Sequence, residues 1–203
     1  MKQNHLLILF GILGLGLVWW LFFTPSQPVP VVKNNTIVWL GDSIGSGYGA
    51  SKGNSPPDYL EQQLGLSVIN ASKSGDTTAD GVAKIDRVLR EDPGMVIIQL
   101  AGNDALQKVP TSETEMNLAT MIQSFQASGA AVTLVGIRSG PFGDAYGEMF
   151  EDYTDEYDLI YVEDALKGLF GDPRYMADPI HPNDAGSERL AERVFEAIAP
   201  VYK

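Results

Sequence analysis

Cysteine is absent from this 203-residue chain. That excludes disulfides, thiolate zinc sites, iron–sulfur clusters and a thiol nucleophile, and leaves the compartment open. Basic residues are scarce as well. The 14 Lys and Arg stand against 26 Asp and Glu, a formal charge of −12, which is the wrong sign for a nucleic-acid partner. Histidine occurs only twice. His5 belongs to the N-terminal segment, so the remainder of the chain offers His181 alone. With one imidazole and no thiol, a metal site would have to be completed by carboxylates, so no metal or cofactor is indicated. A histidine general base has a single candidate. What is present is ordinary for a globular protein: 44% hydrophobic and 20% charged residues, in a chain long enough for one domain with a real core.

Composition changes along the chain. Leu6 to Phe23 is an 18-residue run without charge, and as a helix it spans roughly 27 Å, close to the hydrocarbon thickness of a bilayer. Lys2 precedes the run and the next basic residue is Lys33, an asymmetry that leaves the N-terminus inside and the rest exported. Trp19, Trp20, Phe22 and Phe23 sit at its far end, as interfacial aromatics do. A retained anchor and a cleaved signal peptide both fit. The length of the run and the lack of a small-x-small site favour the anchor. Residues 24–35 hold three prolines and read as an extended tether. The expected organisation is therefore an anchor or uncleaved signal over 1–23, a tether over 24–35 and a globular domain over 36–203. Cutting after residue 24 removes one basic and no acidic residue, leaving −13 on the exported part.

Within the domain, five short apolar runs predict strands: Ile37–Leu40, Ser67–Asn70, Met95–Leu100, Ala131–Val135 and Leu159–Val162. They are apolar throughout, which suits strands covered on both faces. Helical patterns lie between them. One opens at Pro57-Asp58 and closes at Gly65. Another places Val82, Ile85 and Leu89 on one face. A third follows a capping box at Ser112-x-x-Glu115, with Leu118, Met121, Ile122 and Phe125 buried. The last carries Leu190, Val194 and Ile198. This alternation predicts an α/β three-layer sandwich around a mostly parallel five-stranded sheet, with ligands at the carboxyl ends of the strands.

Three of those ends are polar and rich in glycine: Gly41-Asp42-Ser43-Ile44-Gly45, Asn70 to Thr78, and Gly102-Asn103-Asp104. Ser43 follows a buried strand and is flanked by small residues, so its hydroxyl can be exposed. Asp178 precedes His181 by three residues, a spacing that on a turn brings its carboxylate to the Nδ1–H and leaves Nε2 facing outward. Gly75 has no side chain to block its N–H, and the Asn103 amide is a second donor. Simpler roles exist for each alone: a cap for Ser43, a positive φ for Gly75, an Asx turn at Asn103, a surface pair at Asp178–His181. Asp42 and Asp104 are expected to orient their loops, and Asp184 to open the last helix. The loop Ser139 to Gly147 carries Phe142 and Tyr146, which are candidates to line a substrate site. The acidic clusters Glu151-Asp152 and Asp155-Glu156 are expected to be a solvated helix face.

Taken in order, Gly41-Asp42-Ser43-Ile44, Gly75, Asn103 within Gly102–Asp104 and Asp178-x-x-His181 resemble the four blocks of the SGNH (GDSL-type) serine hydrolases. The strings Asn70-Ala71-Ser72-x-Ser74-Gly75-Asp76-Thr77, Ile137-Arg138 and Ile180-His181-Pro182-Asn183 are similar to the bacterial thioesterase I/lysophospholipase/arylesterase type. Ile44 stands where the motif usually has Leu. The resemblance spans the domain from about Thr36 and not the N-terminal run. It implies a flavodoxin-like fold and a metal-free, cofactor-free serine esterase. Ser43 would be the nucleophile, His181 the base and Asp178 its partner, with the Ser43 and Gly75 N–H groups and the Asn103 amide forming an oxyanion hole. Fatty acyl esters, thioesters or lysophospholipids are the implied substrates. A deacetylase or short-chain esterase acting on envelope polysaccharide is the alternative enzyme, and a non-catalytic lipid- or glycan-binding module is the alternative outside enzymes. The protein is expected to be a monomer on the outer face of the inner membrane.

Overall fold

The computed structural model describes residues 31–202, apart from Ser139 and Ala145. The apolar run at 6–23 and most of the tether lie outside the described residues. Five strands, β1 (Ile37–Gly41), β2 (Val68–Asn70), β3 (Met95–Gln99), β4 (Ala131–Val135) and β5 (Ile160–Val162), form one sheet in the order β2-β1-β3-β4-β5. Every pairing is parallel. This is the doubly wound order in which the chain reverses direction across the sheet between β1 and β3.

The strands read as continuous apolar runs because both faces are covered. Ile37 and Trp39 belong to one core with Leu60, Leu190, Val194 and Ile198, on helices α1 (Pro56–Leu64) and α7 (Asp184–Ile198). Val38 and Leu40 belong to the other core with Leu118, Met121, Ile122 and Phe125 of α5 (Thr111–Ala127) and Phe150 of α6 (Gly147–Tyr157). Alternate residues of one strand thus feed two cores, as the two-residue period of a strand requires. These side chains are wholly buried or nearly so, and each apolar one of this size contributes about 1.5–3 kcal/mol of burial.

Two helical expectations need correction. The residues from Thr78 to Leu89 form two helices, α2 (Thr78–Ala83) and α3 (Ile85–Leu89), with Lys84 between them. Val82, Ile85 and Leu89 still pack against the same core, so the apolar face survives the break. The capping box at Ser112–Glu115 does not form. Helix α5 starts two residues earlier than that box would place it, behind Pro110 and with no side-chain cap. The Pro110 carbonyl takes the N–H groups of Glu113 and Thr114, and proline fixes the φ of the entry without needing a donor. A capping box is found instead at Ser55 and Asp58, ahead of the expected helix, which Gly65 closes in the left-handed conformation as its position suggested.

Candidate active site

The carboxyl ends of β1 and β3, at the point where strand order reverses, hold the Ser43 loop and the Asn103 loop. A short helix, α4 (Gly102–Gln107), begins at the latter. Ser43 leaves β1 in a tight turn: Ser46 N–H donates to Asp42 O at 2.9 Å and Tyr48 N–H to Ser43 O at 2.9 Å. Gly45 lets this turn lie against the sheet. A Cβ there would sit 2.6 Å from Ser72 Oγ and 2.9 Å from both Gln99 Oε1 and Trp39 Nε1. Asp42 is buried and accepts the Ile44 N–H and Gln99 Nε2, each at 3.0 Å. Burial pushes its carboxyl up to about 6, against the opposing pull of those two donors.

His181 arrives from the other end of the chain. A small antiparallel bridge pairs Met176 with Pro182, and Asp178 closes the turn inside it by accepting the N–H groups of Ile180 and His181, both at 2.8 Å. The second carboxylate oxygen lies 2.7 Å from His181 Nδ1, and Nε2 lies 3.0 Å from Ser43 Oγ. Partial burial pushes the Asp178 carboxyl up, but the two backbone donors and the imidazole outweigh it and hold the group down at about 2. The carboxylate is therefore ionised and can only accept, so the Nδ1 proton belongs on the side of Asp178. In the neutral ring Nε2 is then an acceptor for the Ser43 hydroxyl. The Tyr48 ring packs on the imidazole with centroids 4.4 Å apart. Asp184, the first residue of α7, accepts Ser51 N–H at 2.6 Å and Asn54 Nδ2 at 2.8 Å. It opens the last helix as expected, and it also joins the segment after Ser43 to the segment after His181.

On the opposite side of Ser43 stand Gly75 and Asn103. Gly75 has φ +88° and open space around its Cα, so glycine is needed for conformation and not for room. Among the described residues, neither the Ser43 N–H nor the Gly75 N–H has a protein acceptor. Asn103 Nδ2 spends one proton on Asp76 O at 2.9 Å and keeps the other. Asp104 is fully buried and accepts the Thr78 N–H at 2.9 Å as well as the Thr78 and Thr114 hydroxyls, which braces the Asn103 loop against α2 and α5.

Ser43, Gly75, Asn103 and His181 line one open cleft of about 320 Å³, together with Asp42, Tyr48, Ser74, Leu106, Phe142 and Ile180. The structure thus gathers these four expected residues around one cleft, with Asp178 behind His181. Phe142 also lines the cleft. Tyr146 does not; it faces a neighbouring apolar pocket of about 30 Å³, shared with Phe142, Leu100, Val135 and Phe150. Tyr48 and Leu106 are 57% and 45% exposed, an apolar rim that no periodicity announces because both stand on irregular or short segments.

Residues 39–189 match the sequence profile of the GDSL-like Lipase/Acylhydrolase family. The chain belongs to that family. Among its relatives, Esterase TesA of Pseudomonas aeruginosa is 33% identical over 178 residues, covering 82% of this chain and 89% of the relative. The thioesterase 1/protease 1/lysophospholipase L1 of Escherichia coli is 29% identical, covering 82% and 85%. A crystal structure of TesA superposes with a TM-score of 0.76 at 33% identity, over 82% of this chain and 99% of that one. As a GDSL-family member this protein is a carboxylic ester hydrolase of the SGNH type, and its sheet topology is the α/β sandwich of those hydrolases.

Proposed function

We propose that this GDSL-family protein is an exported serine esterase that cleaves fatty acyl esters or thioesters through an acyl-enzyme on Ser43. One observation carries the reading: a continuous hydrogen-bonded chain from Ser43 Oγ through His181 to Asp178, at 3.0 and 2.7 Å. As Oγ attacks the acyl carbon, His181 Nε2 takes its proton, and Asp178 stabilises the imidazolium that forms. The carbonyl oxygen becomes an oxyanion facing the N–H groups of Ser43 and Gly75 and the free proton of the Asn103 amide. Collapse breaks the bond to the alcohol or thiol, which leaves with the proton from His181. A water then attacks the acyl-enzyme with His181 again as base, and the carboxylic acid departs.

The apolar rim of Tyr48, Leu106, Phe142 and Ile180 suits an acyl substituent better than a sugar. The names of the relatives, among them a thioesterase and a lysophospholipase, support the same substrate class. The pocket behind Phe142, at about 30 Å³, holds only one or two waters as it stands. That tightness favours the second reading, a short-chain esterase or deacetylase. A series of p-nitrophenyl esters from acetate to palmitate, with an acyl thioester beside it, separates the two. The fatty acyl reading expects kcat/KM to rise from acetate to medium chains. A strict acetate preference would contradict it. We further propose that residues 6–23 hold the domain at the membrane.

A further inference from the structure

We propose that Lys84 is a positioning residue for the oxyanion-binding side of the site. This rests on the roles given above to Gly75 and Asn103. Lys84 occupies the break between α2 and α3. Its φ and ψ are −97° and −4°, and its N–H turns back to Gly81 and Val82. From that break its ammonium donates to Ala71 O at 3.1 Å and to the Asp76 carboxylate. Ala71 and Asp76 bracket the loop that presents Gly75. One cation therefore ties both ends of that loop together.

The tie continues into the site. The Asp76 carbonyl accepts Asn103 Nδ2 at 2.9 Å, so the residue that Lys84 grips is also the one that orients the Asn103 amide. The ion pair is shielded from water, with 4% of the Asp76 side chain and 17% of Lys84 exposed. Among the described residues, the loop's other bonds, Lys73 N–H to Gly41 O, Asp76 N–H to Lys73 O and the Ser46–Ser74 hydroxyl contact, bring no second cation to the Asp76 side chain. A buried carboxylate deprived of its partner is strongly unfavourable and turns toward solvent. Here that movement would carry the Asp76 carbonyl with it and misaim both Gly75 N–H and the Asn103 amide.

Oxyanion donors act on charge that develops after substrate has bound, so misaiming them lowers kcat and spares KM. Complete loss of one such donor costs about 10²–10³ in kcat, and a misplaced pair should cost roughly 10–100-fold. The experiment compares wild type, Lys84→Met, Lys84→Arg, Asn103→Ala and the Lys84→Met/Asn103→Ala double variant on one p-nitrophenyl ester. Lys84→Met should lose about 10–100-fold in kcat with KM within about 3-fold. Lys84→Arg, which keeps a cation in reach of both acceptors, should recover most of the loss. The double variant should be little worse than Asn103→Ala, because the two changes act on one group. Should Lys84→Met fail to fold, Asp76→Asn breaks the same ion pair with the side-chain shape kept, and the same kcat-selective loss is expected. Retention of kcat in a folded variant, or losses that multiply in the double variant, would overturn the proposal. If Ser43→Ala remains inactive while Lys84→Met is fully active, the serine reading stands and only the role of Lys84 falls.

Discussion

Asp42 shows how a single residue beside the nucleophile sets a cost on the fold. Its carboxyl is held up at about 6 by burial, above the ordinary unfolded value near 4. For an acid raised on folding, the associated stability is complete below about pH 4 and is lost as pH rises to about 6. At pH 8 the deficit is about 3 kcal/mol. Asp42→Asn keeps an oxygen for Ile44 N–H and Gln99 Nε2. Thermal melts should place the variant above wild type at pH 8, with the gap closing at pH 4; an equal gap at both would contradict this account of Asp42. Asp178 works with the opposite sign. Held at about 2, it favours the fold above about pH 4, a contribution lost as pH falls toward 2. The Ser43, Asp178 and His181 set was legible because one usable histidine left no competing choice, and because a three-residue spacing on a turn fixes which atoms meet. Lys84 was not legible. Its partners lie 8 and 13 residues away, a separation with no local periodicity.

At the scale of elements, the strands were legible because burial on both faces removes polar residues from them, and the reversal of order at β1 and β3 puts their polar ends side by side. Capping at Ser112 misled because a proline one residue before the true start does the same work without a side chain. The Ile137-Arg138 string gave no hint of what Arg138 holds. Three residues past the end of β4 it grips Asp144 through two bonds of 2.7 Å, Glu163 at 3.0 Å, and Glu151. The acidic face of α6 is exposed as expected, but Glu151 on it is an ion-pair partner. These bonds draw the segment bearing Phe142 and Tyr146 against α6 and β5, over the small apolar pocket. Arg138→Gln should loosen that segment and let longer chains enter. The ratio of long- to short-chain kcat/KM should rise about 10-fold, on the scale of a few methylene contacts. An unchanged chain-length profile would show that the clamp does not govern the pocket.

For the whole molecule, the described chain enters at the amino-terminal edge of the sheet. Lys33 Nζ bonds Asp92 at 2.6 Å and Ser128 O at 3.1 Å, and Asn34 Nδ2 bonds Asp92 O at 2.9 Å. The cleft opens at the carboxyl-terminal edge, a strand length of about 17 Å away. Lys33 and Asn34 are therefore held on the side opposite the cleft. Among the described residues no helix is long and apolar enough to cross a membrane. Fractionation of cells should leave the full-length protein in the membrane after a carbonate wash; a soluble product starting after residue 24 would contradict the anchor. The most direct test of the central claim is labelling with a fluorophosphonate followed by peptide mapping. One adduct on Ser43, formed in step with the loss of ester hydrolysis and absent from Ser43→Ala, is the expected result. Full ester hydrolysis by Ser43→Ala would contradict it.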